Sequence, residues 1–383
     1  MALSDIPFTS GSYSQKRITK SIERSASWLA NILRPLPGRH VAAGAAAHLP
    51  NVLVHMAGGT TPVARQAFSQ SLLEPLFDKE AEAIKPLNNL DQGVAGYTFD
   101  LAPLHKSLSP ASPHAPTKNG LVGAIDNFSA PPAPSVIKQV VSLIRTSLEP
   151  LPATKPRFVH SAGSPHEILA LIRDVGIDLF DAHWAQRAAD IGVALDFVFP
   201  APPTTTGAPD AAPREIGHNF YDKRYSHDFS SFADTLRSCS AEQDDSRPPC
   251  TCLACAPLRP SEPLKLSRLD EVAPFQTPVP YTRAYMHHLL HTHEMAAHAL
   301  LTLHNLAVLD TFFAGVRQVL SEQPEVFHQE ISRFEHMYDG RLGVLSEAKL
   351  AWTEVSLARG KGRLAREREK LKQETLGTAV ELN

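Results

Sequence analysis

The sequence predicts an α/β fold, and three observations carry that reading. Short apolar runs of strand character alternate with amphipathic helical stretches over roughly the first half of the chain. Such alternation means parallel strands joined by helical crossovers. Hydrophobic residues make up 43% of the 383, ample for a core, which excludes a wholly disordered chain. Only four strands stand out, whereas a closed (β/α)8 barrel needs eight. The expectation is therefore an open sheet or an incomplete barrel.

The first periodic segment spans 18–33, with Ile18, Ile22, Ala26, Leu29 and Leu33 at helical spacing and Lys20, Glu23 and Arg24 on other faces. Pro35 and Pro37 stop it. Residues 48–59, HLPNVLVHMAGG, read as a buried strand running into a Gly58-Gly59 turn. A helix over about 62–76 and a short strand over 93–99 (GVAGYTF) follow. The pattern then repeats, with a helix over 135–148, a strand over 157–161 (RFVHS) and a helix over 165–175. Ser164 is placed to cap that last helix, Pro165 opens it and Gly176 ends it. Residues 177–184, IDLFDAHW, read as the fourth strand.

Segments 103–116, 200–213 and 256–280 are rich in Pro, Ser, Thr and Ala, without periodicity, and read as surface loops. Proline is abundant throughout, 32 residues or about 8% of the chain against a usual ~5%. Residues 281–320 are almost free of Gly and Pro and place Met286, Leu289, Leu290, Met295, Leu300, Leu301 and Leu306 at helical spacing, as one long helix or two in succession. The stretch from 347 onward reads as a charged helix.

The formal charge of −3, from 37 Lys+Arg and 40 Asp+Glu, excludes a histone-like polybasic protein but not a local basic face. No stretch approaches the ~20 uninterrupted apolar residues of a bilayer span, and the first residues, MALSDIPFTSGSYSQKR, lack a secretory apolar core. Four cysteines in this length do not make a disulfide scaffold. A soluble intracellular protein with reduced thiols is the expectation.

Cys250-Thr-Cys252-Leu-Ala-Cys255 is the strongest chemical signal. Three thiolates on a tight loop can converge on one tetrahedral ion, and Zn²⁺ usually takes four N/S ligands. The fourth must come from elsewhere, and the helix after Pro280 offers His287, His288, His291, His293, His298 and His304. Spacing alone does not choose among them. A fully ligated site of this kind is closed and structural. Asp178 and Asp181 are expected at the C-terminal end of a strand, where α/β barrels place catalytic carboxylates. Gly58-Gly59 lets a ligand approach the backbone or merely turns the chain, and it has neither GxGxxG nor Walker spacing. The run Arg359, Lys361, Arg363, Arg366, Arg368, Lys370, Lys372 could meet phosphates, but Glu367, Glu369 and Glu374 dilute it toward a solvated helical face.

CTCLAC followed by YTRAYMHHLLHTHEMAAHALLTLHNL resembles the zinc subdomain of tRNA-guanine transglycosylases. The resemblance runs from about residue 17 to 320. It implies Cys250, Cys252, Cys255 and His304 as ligands of one structural zinc, with His287 and His288 matching a paired-histidine motif that does not ligate. It implies a TIM-type (β/α)8 barrel whose N-terminal strands are missing here, joined to a zinc-binding helical subdomain. The implied division is 1–200 partial barrel, 201–246 insert, 247–322 zinc subdomain and 323–383 helical extension. GIDLFD keeps Asp181 at the family's nucleophile position, and of the pocket run that follows only Arg187 matches. Ala57 stands where catalytic members carry a base-reading glutamine, and an alanine side chain makes no hydrogen bond.

KRITKSIERSASWL, NFYDKRYSHDF and GVALDFVF instead resemble the accessory, non-catalytic branch of eukaryotic queuine tRNA-ribosyltransferase. That branch implies no catalytic residue in this chain, Asp181 being vestigial. It implies a heterodimer with a catalytic subunit, tRNA as the shared substrate, no DNA, and a cytoplasmic location with a possible peripheral pool on the mitochondrial outer membrane. The joint reaction would exchange guanine for queuine at the tRNA wobble position. A catalytically active transglycosylase using Asp181, or a zinc-stabilised interaction module, is the alternative.

Overall fold

The computed structural model describes residues 1–5, 14–34, 51–109, 132–202, 212–236, 248–257 and 280–355. The basic run from Arg359 to Lys372, Pro35 and Pro37, and most of the three proline-rich segments lie outside these residues. The chain divides into two compact units, Met1–Trp184 and Ala185–Asn383.

In the first unit, helix α1 (Gln15–Leu33) is capped by Ser14, whose side chain accepts from the Arg17 amide. Its buried stripe is Ser21, Ser25, Leu29 and Leu33, not the expected 18/22/26/29/33, and Trp28 and Ile32 are exposed. Residues 2–5 run across the helix, so the two serines are buried against backbone. The Ser21 hydroxyl donates to the Asp5 carbonyl, and Ser25 Oγ accepts from the Asp5 amide at 2.9 Å.

Strand β1 (Val52–His55) leads to helix α2 (Pro62–Leu73) and the short α3 (Asp78–Ala83). Strand β2 (Val94–Asp100) runs directly into α4 (Leu101–Leu108). A loop was expected from Pro103 onward, and the helix corrects that. Asp100 caps α4 at the Ala102 amide, and Pro103 sits in the first turn, where a missing N–H breaks no helical bond. Helix α5 (Pro134–Leu148), strand β3 (Arg157–His160) and helix α6 (Pro165–Val175) follow as the sequence predicts. The Ser164 side chain caps the Glu167 amide, and Gly176 closes α6 in the left-handed conformation at φ 72°. Strand β4 is only Leu179–Phe180, because α7 (His183–Asp190) already begins where the strand was expected to continue.

The four strands pair in parallel in the order β1-β2-β3-β4, with Asp100 opposite His160 and Val159 opposite Phe180. Sequential order is barrel-like winding, whereas a doubly wound sheet reverses at a switch point. Among the described residues these four strands form an open parallel α/β sheet, with no barrel closure. Between α4 and α6 lies a buried hydrogen bond, His105 Nε2 to Glu167 Oε1 at 2.7 Å.

In the second unit, β5 (Val193–Leu195) and β6 (Gly217–Asn219) form an antiparallel pair. Helix α8 (Arg283–His291) is followed by the 28-residue α9 (Met295–Glu322) and by α10 (Phe327–Met337). The 281–320 segment is thus two helices, within the alternatives the sequence left. A further helix runs over 343–355. The core gathers Phe197, Phe199, Phe312, Phe334 and Tyr338, with edge-on ring contacts at 5.6 to 6.4 Å around Phe197. By length and composition alone α9 could cross a membrane, but its buried face carries His304 and Asn305, whose bonds below make it a core helix.

Gly315 lets α9 lie against the backbone of the Phe199 region, for a Cβ there would stand 1.6 Å from the Phe199 carbonyl oxygen. Gly315→Ala must push the helix off that contact. A loss of about 3 kcal/mol is expected, read as a lowered calorimetric unfolding transition. An unshifted transition would mean α9 does not pack on this carbonyl.

Candidate metal centre

The CxCxxC segment folds as a tight turn. The Cys255 amide donates to Cys252 Sγ at 3.3 Å, the Ala256 amide to the Cys252 carbonyl at 2.8 Å and the Tyr281 amide to the Ala254 carbonyl at 2.9 Å. These bonds hold the thiols beside α9, where His304 is fully buried. His304 Nδ1 lies 3.6, 3.7 and 3.5 Å from the sulfurs of Cys250, Cys252 and Cys255.

One imidazole nitrogen cannot make three hydrogen bonds, so three near-equal distances describe a common vertex. With metal bonds of about 2.3 Å to sulfur and about 2.0 Å to nitrogen, the S···N edge of a tetrahedron is about 3.5 Å. The four residues fit zinc on that measure. Their titration points the same way, since three buried thiols cannot all ionise side by side. Hydrogen bonds from Cys250 and Cys255 pull Cys252 far below the usual thiol range. Hydrogen bonds with Cys250 and Cys252, together with burial, push Cys255 far above it. A divalent cation removes this conflict by accepting every sulfur as thiolate.

The second ring nitrogen, His304 Nε2, meets the Leu195 carbonyl at 3.0 Å. Asn305 completes the docking of α9 on β5: Oδ1 accepts from the Leu195 amide at 2.8 Å, and Nδ2 donates to the carbonyls of Val193 at 2.9 Å and Ala185 at 3.1 Å. Among the other candidate histidines, His287 Nδ1 turns to the Phe220 carbonyl, His291 Nδ1 to the His287 carbonyl and His298 Nδ1 to the Ala189 carbonyl. The structure therefore brings only His304 to the cysteines among the described residues.

Sequence reasoning missed a polar network behind the centre. Buried Asp196 accepts from His218 Nε2 at 2.9 Å, from the Asp234 and Thr235 amides, from the Thr235 hydroxyl, and from Arg214 Nη2 at 3.2 Å. Burial alone would raise its carboxyl, but the His218 bond and the other donors outweigh that and hold it well below the usual carboxylate range. Arg283, buried at the start of α8, reaches Asp234 at 2.7 Å and His218 Nε2 at 3.2 Å. Asp196, His218 and Asp234 could in principle hold a cation, but two guanidinium groups already fill that role. The network fixes residues 232–235, and the Phe232 ring packs edge-on against His304 at 5.4 Å. The RAY and HN motifs carried the only visible signal, as Arg283 and Asn305.

In the first unit, Asp181 follows β4 as expected, whereas Asp178 precedes it, so Asp178 is not at the C-terminal end. Asp178 instead accepts from the Arg157 amide at 2.8 Å and holds the entry of β3. The Asp181 carboxylate accepts from the Ser161 amide at 3.1 Å and the His183 amide at 3.3 Å, with His160 Nδ1 at 3.5 Å. Ala57, just past β1, is buried.

A family-wide sequence model described as queuine tRNA-ribosyltransferase matches residues 130–338. Curated relatives include the protein named queuine tRNA-ribosyltransferase accessory subunit 2 of Aedes aegypti, 28% identical over 183 residues, 48% of this chain and 33% of that protein. The protein of the same name in Schizosaccharomyces pombe is 30% identical over 196 residues, 50% of this chain and 35% of its own length. The one in Xenopus tropicalis is 26% identical over 334 residues, covering 84% of this chain and 62% of itself. The matched stretch thus spans between one third and about three fifths of these relatives.

Protein purified without chelator should contain one zinc per chain, and Cys252→Ser should release it and lower the thermal transition of the second unit, since two thiolates and an imidazole no longer close the shell. Elemental analysis finding no zinc in the unmodified protein would refute a zinc centre here.

Proposed function

We propose a role from one premise: the chain belongs to the queuine tRNA-ribosyltransferase family. The role is that of a non-catalytic accessory subunit, which supports a catalytic partner in exchanging guanine for queuine at wobble position 34 of tRNAs with GUN anticodons. The observation that carries this reading is Ala57. By the resemblance it replaces the glutamine that reads the base in catalytic members, and it leaves the end of β1 without the hydrogen bond such a pocket needs. The relatives named accessory subunit 2 support the same branch.

Under this proposal the glycosidic displacement through a covalent carboxylate–ribose intermediate belongs to the partner. The four-stranded sheet is read as an arc of a barrel, and one zinc on Cys250, Cys252, Cys255 and His304 is structural. With all four positions filled by protein, such an ion offers no open coordination site for chemistry. The location proposed is cytoplasmic. Helix α9 leaves Met295, Leu303 and Leu320 exposed outside its buried stripe, and that apolar remainder is proposed as part of the docking face.

The competing reading is an active transglycosylase, favoured by Asp181 standing in place at a strand end. The two readings part in a simple assay. The isolated chain should not incorporate labelled guanine into tRNA, because a carboxylate without groups that position the base and stabilise developing charge is not a catalyst. Exchange that is measurable and vanishes in Asp181→Asn would establish the active reading instead.

Docking has its own test. Met295→Lys combined with Leu303→Asp should abolish co-purification with the catalytic subunit while zinc content stays at the unmodified level. Undiminished pull-down would place the interface away from α9.

A further inference from the structure

The first unit holds a cleft, open to solvent, at the ends of β1 and β2. Three features of it are left unsatisfied by the fold. The first is a buried cation without a counter-ion. Arg65 is 3% exposed, donates from Nε to the Gly59 carbonyl at 2.6 Å and from Nη1 to Ser147 Oγ at 3.1 Å, and meets no carboxylate among the described residues. Burial presses its guanidinium down to about 10, the mark of a charge lacking compensation.

The second is the start of α2. Thr61, its cap residue, makes no side-chain capping bond, and Pro62 occupies the first turn. Among the described residues no acceptor meets the N–H groups of Gly59, Thr60, Val63 or Ala64. Gly58 and Gly59 both have positive φ, at 113° and 56°; a Cβ on Gly58 would strike Arg65, while Gly59 faces open space. The loop is thereby laid against the arginine with its amides free.

The third is independent of both. His55, 8% exposed and part of the cleft wall, meets Ser4 Oγ through Nδ1, and its buried Nε2 has no partner. With the Ser4 hydroxyl donating to Nδ1, Nε2 carries the proton and is a donor without an acceptor. Unsatisfied buried donors of this kind call for an explanation.

We infer that this cleft binds the oxyanion of a small ligand, a phosphate or phosphate monoester, through Arg65, the free N–H groups at the start of α2 and His55 Nε2. A cation, a helix N-terminus and a lone donor share one requirement, negative charge rich in acceptor oxygens. Two carboxylates line the same cleft, but each is engaged. Asp5 pairs with Arg24 at 3.0 Å, and Asp100 Oδ1 accepts from the Ala102 amide at 3.0 Å. Met56, Phe99 and Leu104 supply an apolar wall for an organic group attached to the phosphate. This inference does not depend on the accessory role.

The test titrates the full chain with inorganic phosphate and, separately, with phenyl phosphate at constant ionic strength set by chloride. Selective ¹⁵N labelling of glycine, threonine and valine should show the Gly59, Thr60 and Val63 amides shifting on addition of phosphate. Arg65→Gln should weaken binding about tenfold or more, and His55→Phe should weaken it several-fold with the fold retained by circular dichroism. Phenyl phosphate binding tenfold more tightly would identify a monoester as the ligand, and equal affinity would identify free phosphate. Absence of amide shifts at tens of millimolar phosphate in the unmodified protein would overturn the inference, whatever the variants do. Binding that is undiminished in a folded Arg65→Gln would overturn it too.

Discussion

The His304 imidazole meets the Leu195 carbonyl through Nε2 and three cysteine sulfurs through Nδ1, and the described part of the second unit is arranged around that double demand. A carbonyl can only accept, so Nε2 must carry the proton, and Nδ1 is left as a bare lone pair. The backbone of β5 thereby sets the tautomer of a metal ligand. The edge of β5 that faces β6 is paired through the strand ladder. Its opposite edge would be orphaned without α9, where His304 takes the Leu195 carbonyl and Asn305 takes the Leu195 amide and the Val193 carbonyl. Two adjacent helix residues complete a strand and present a ligand at once.

That arrangement explains the cost accepted elsewhere. Burying Asp196 and Arg283 is expensive unless every lone pair and proton finds a partner. Here five donors meet Asp196 and Arg283 Nη2 pairs with Asp234, although the buried Arg283 Nε is left without a partner. The return is position: residues 232–235 are fixed, Phe232 rests on the His304 ring, and the cysteine turn has a rigid wall. A histidine ligand depends on such outer contacts for its orientation.

How much of this the sequence disclosed depended on distance along the chain. The cap at Ser164, the stop at Gly176 and the thiol spacing are local, and they were legible because each is a rule about neighbours. The choice of His304 over five other histidines came from resemblance, since nothing local distinguishes a ring that faces sulfur from one that faces a carbonyl. The Asp196 network was invisible because His218, Asp234 and Arg283 lie 22 to 87 residues away from it in sequence. The fourth strand was over-read because Asp181 bonds the His183 amide and turns IDLFDAHW into a helix start. The stripe of α1 was misjudged because residues 2–5 bury serines that composition assigns to solvent.

The two carboxylates once grouped together, Asp178 and Asp181, show how a site residue differs from a scaffold residue of the same type. Asp178 is spent on the backbone of β3, a purely local duty. Asp181 holds the turn after β3 by accepting from Ser161, a non-glycine residue at φ 61°, so it stabilises a conformation the backbone does not favour unaided. A carboxylate bound by two amides and neighboured by His160 is oriented. Yet orientation also engages one lone pair on each oxygen of that carboxylate, and Ala57, at the end of β1 on the opposite edge of the sheet, has no side-chain group to make a hydrogen bond. A carboxylate can therefore hold its place through the backbone it binds, whether or not it meets a substrate.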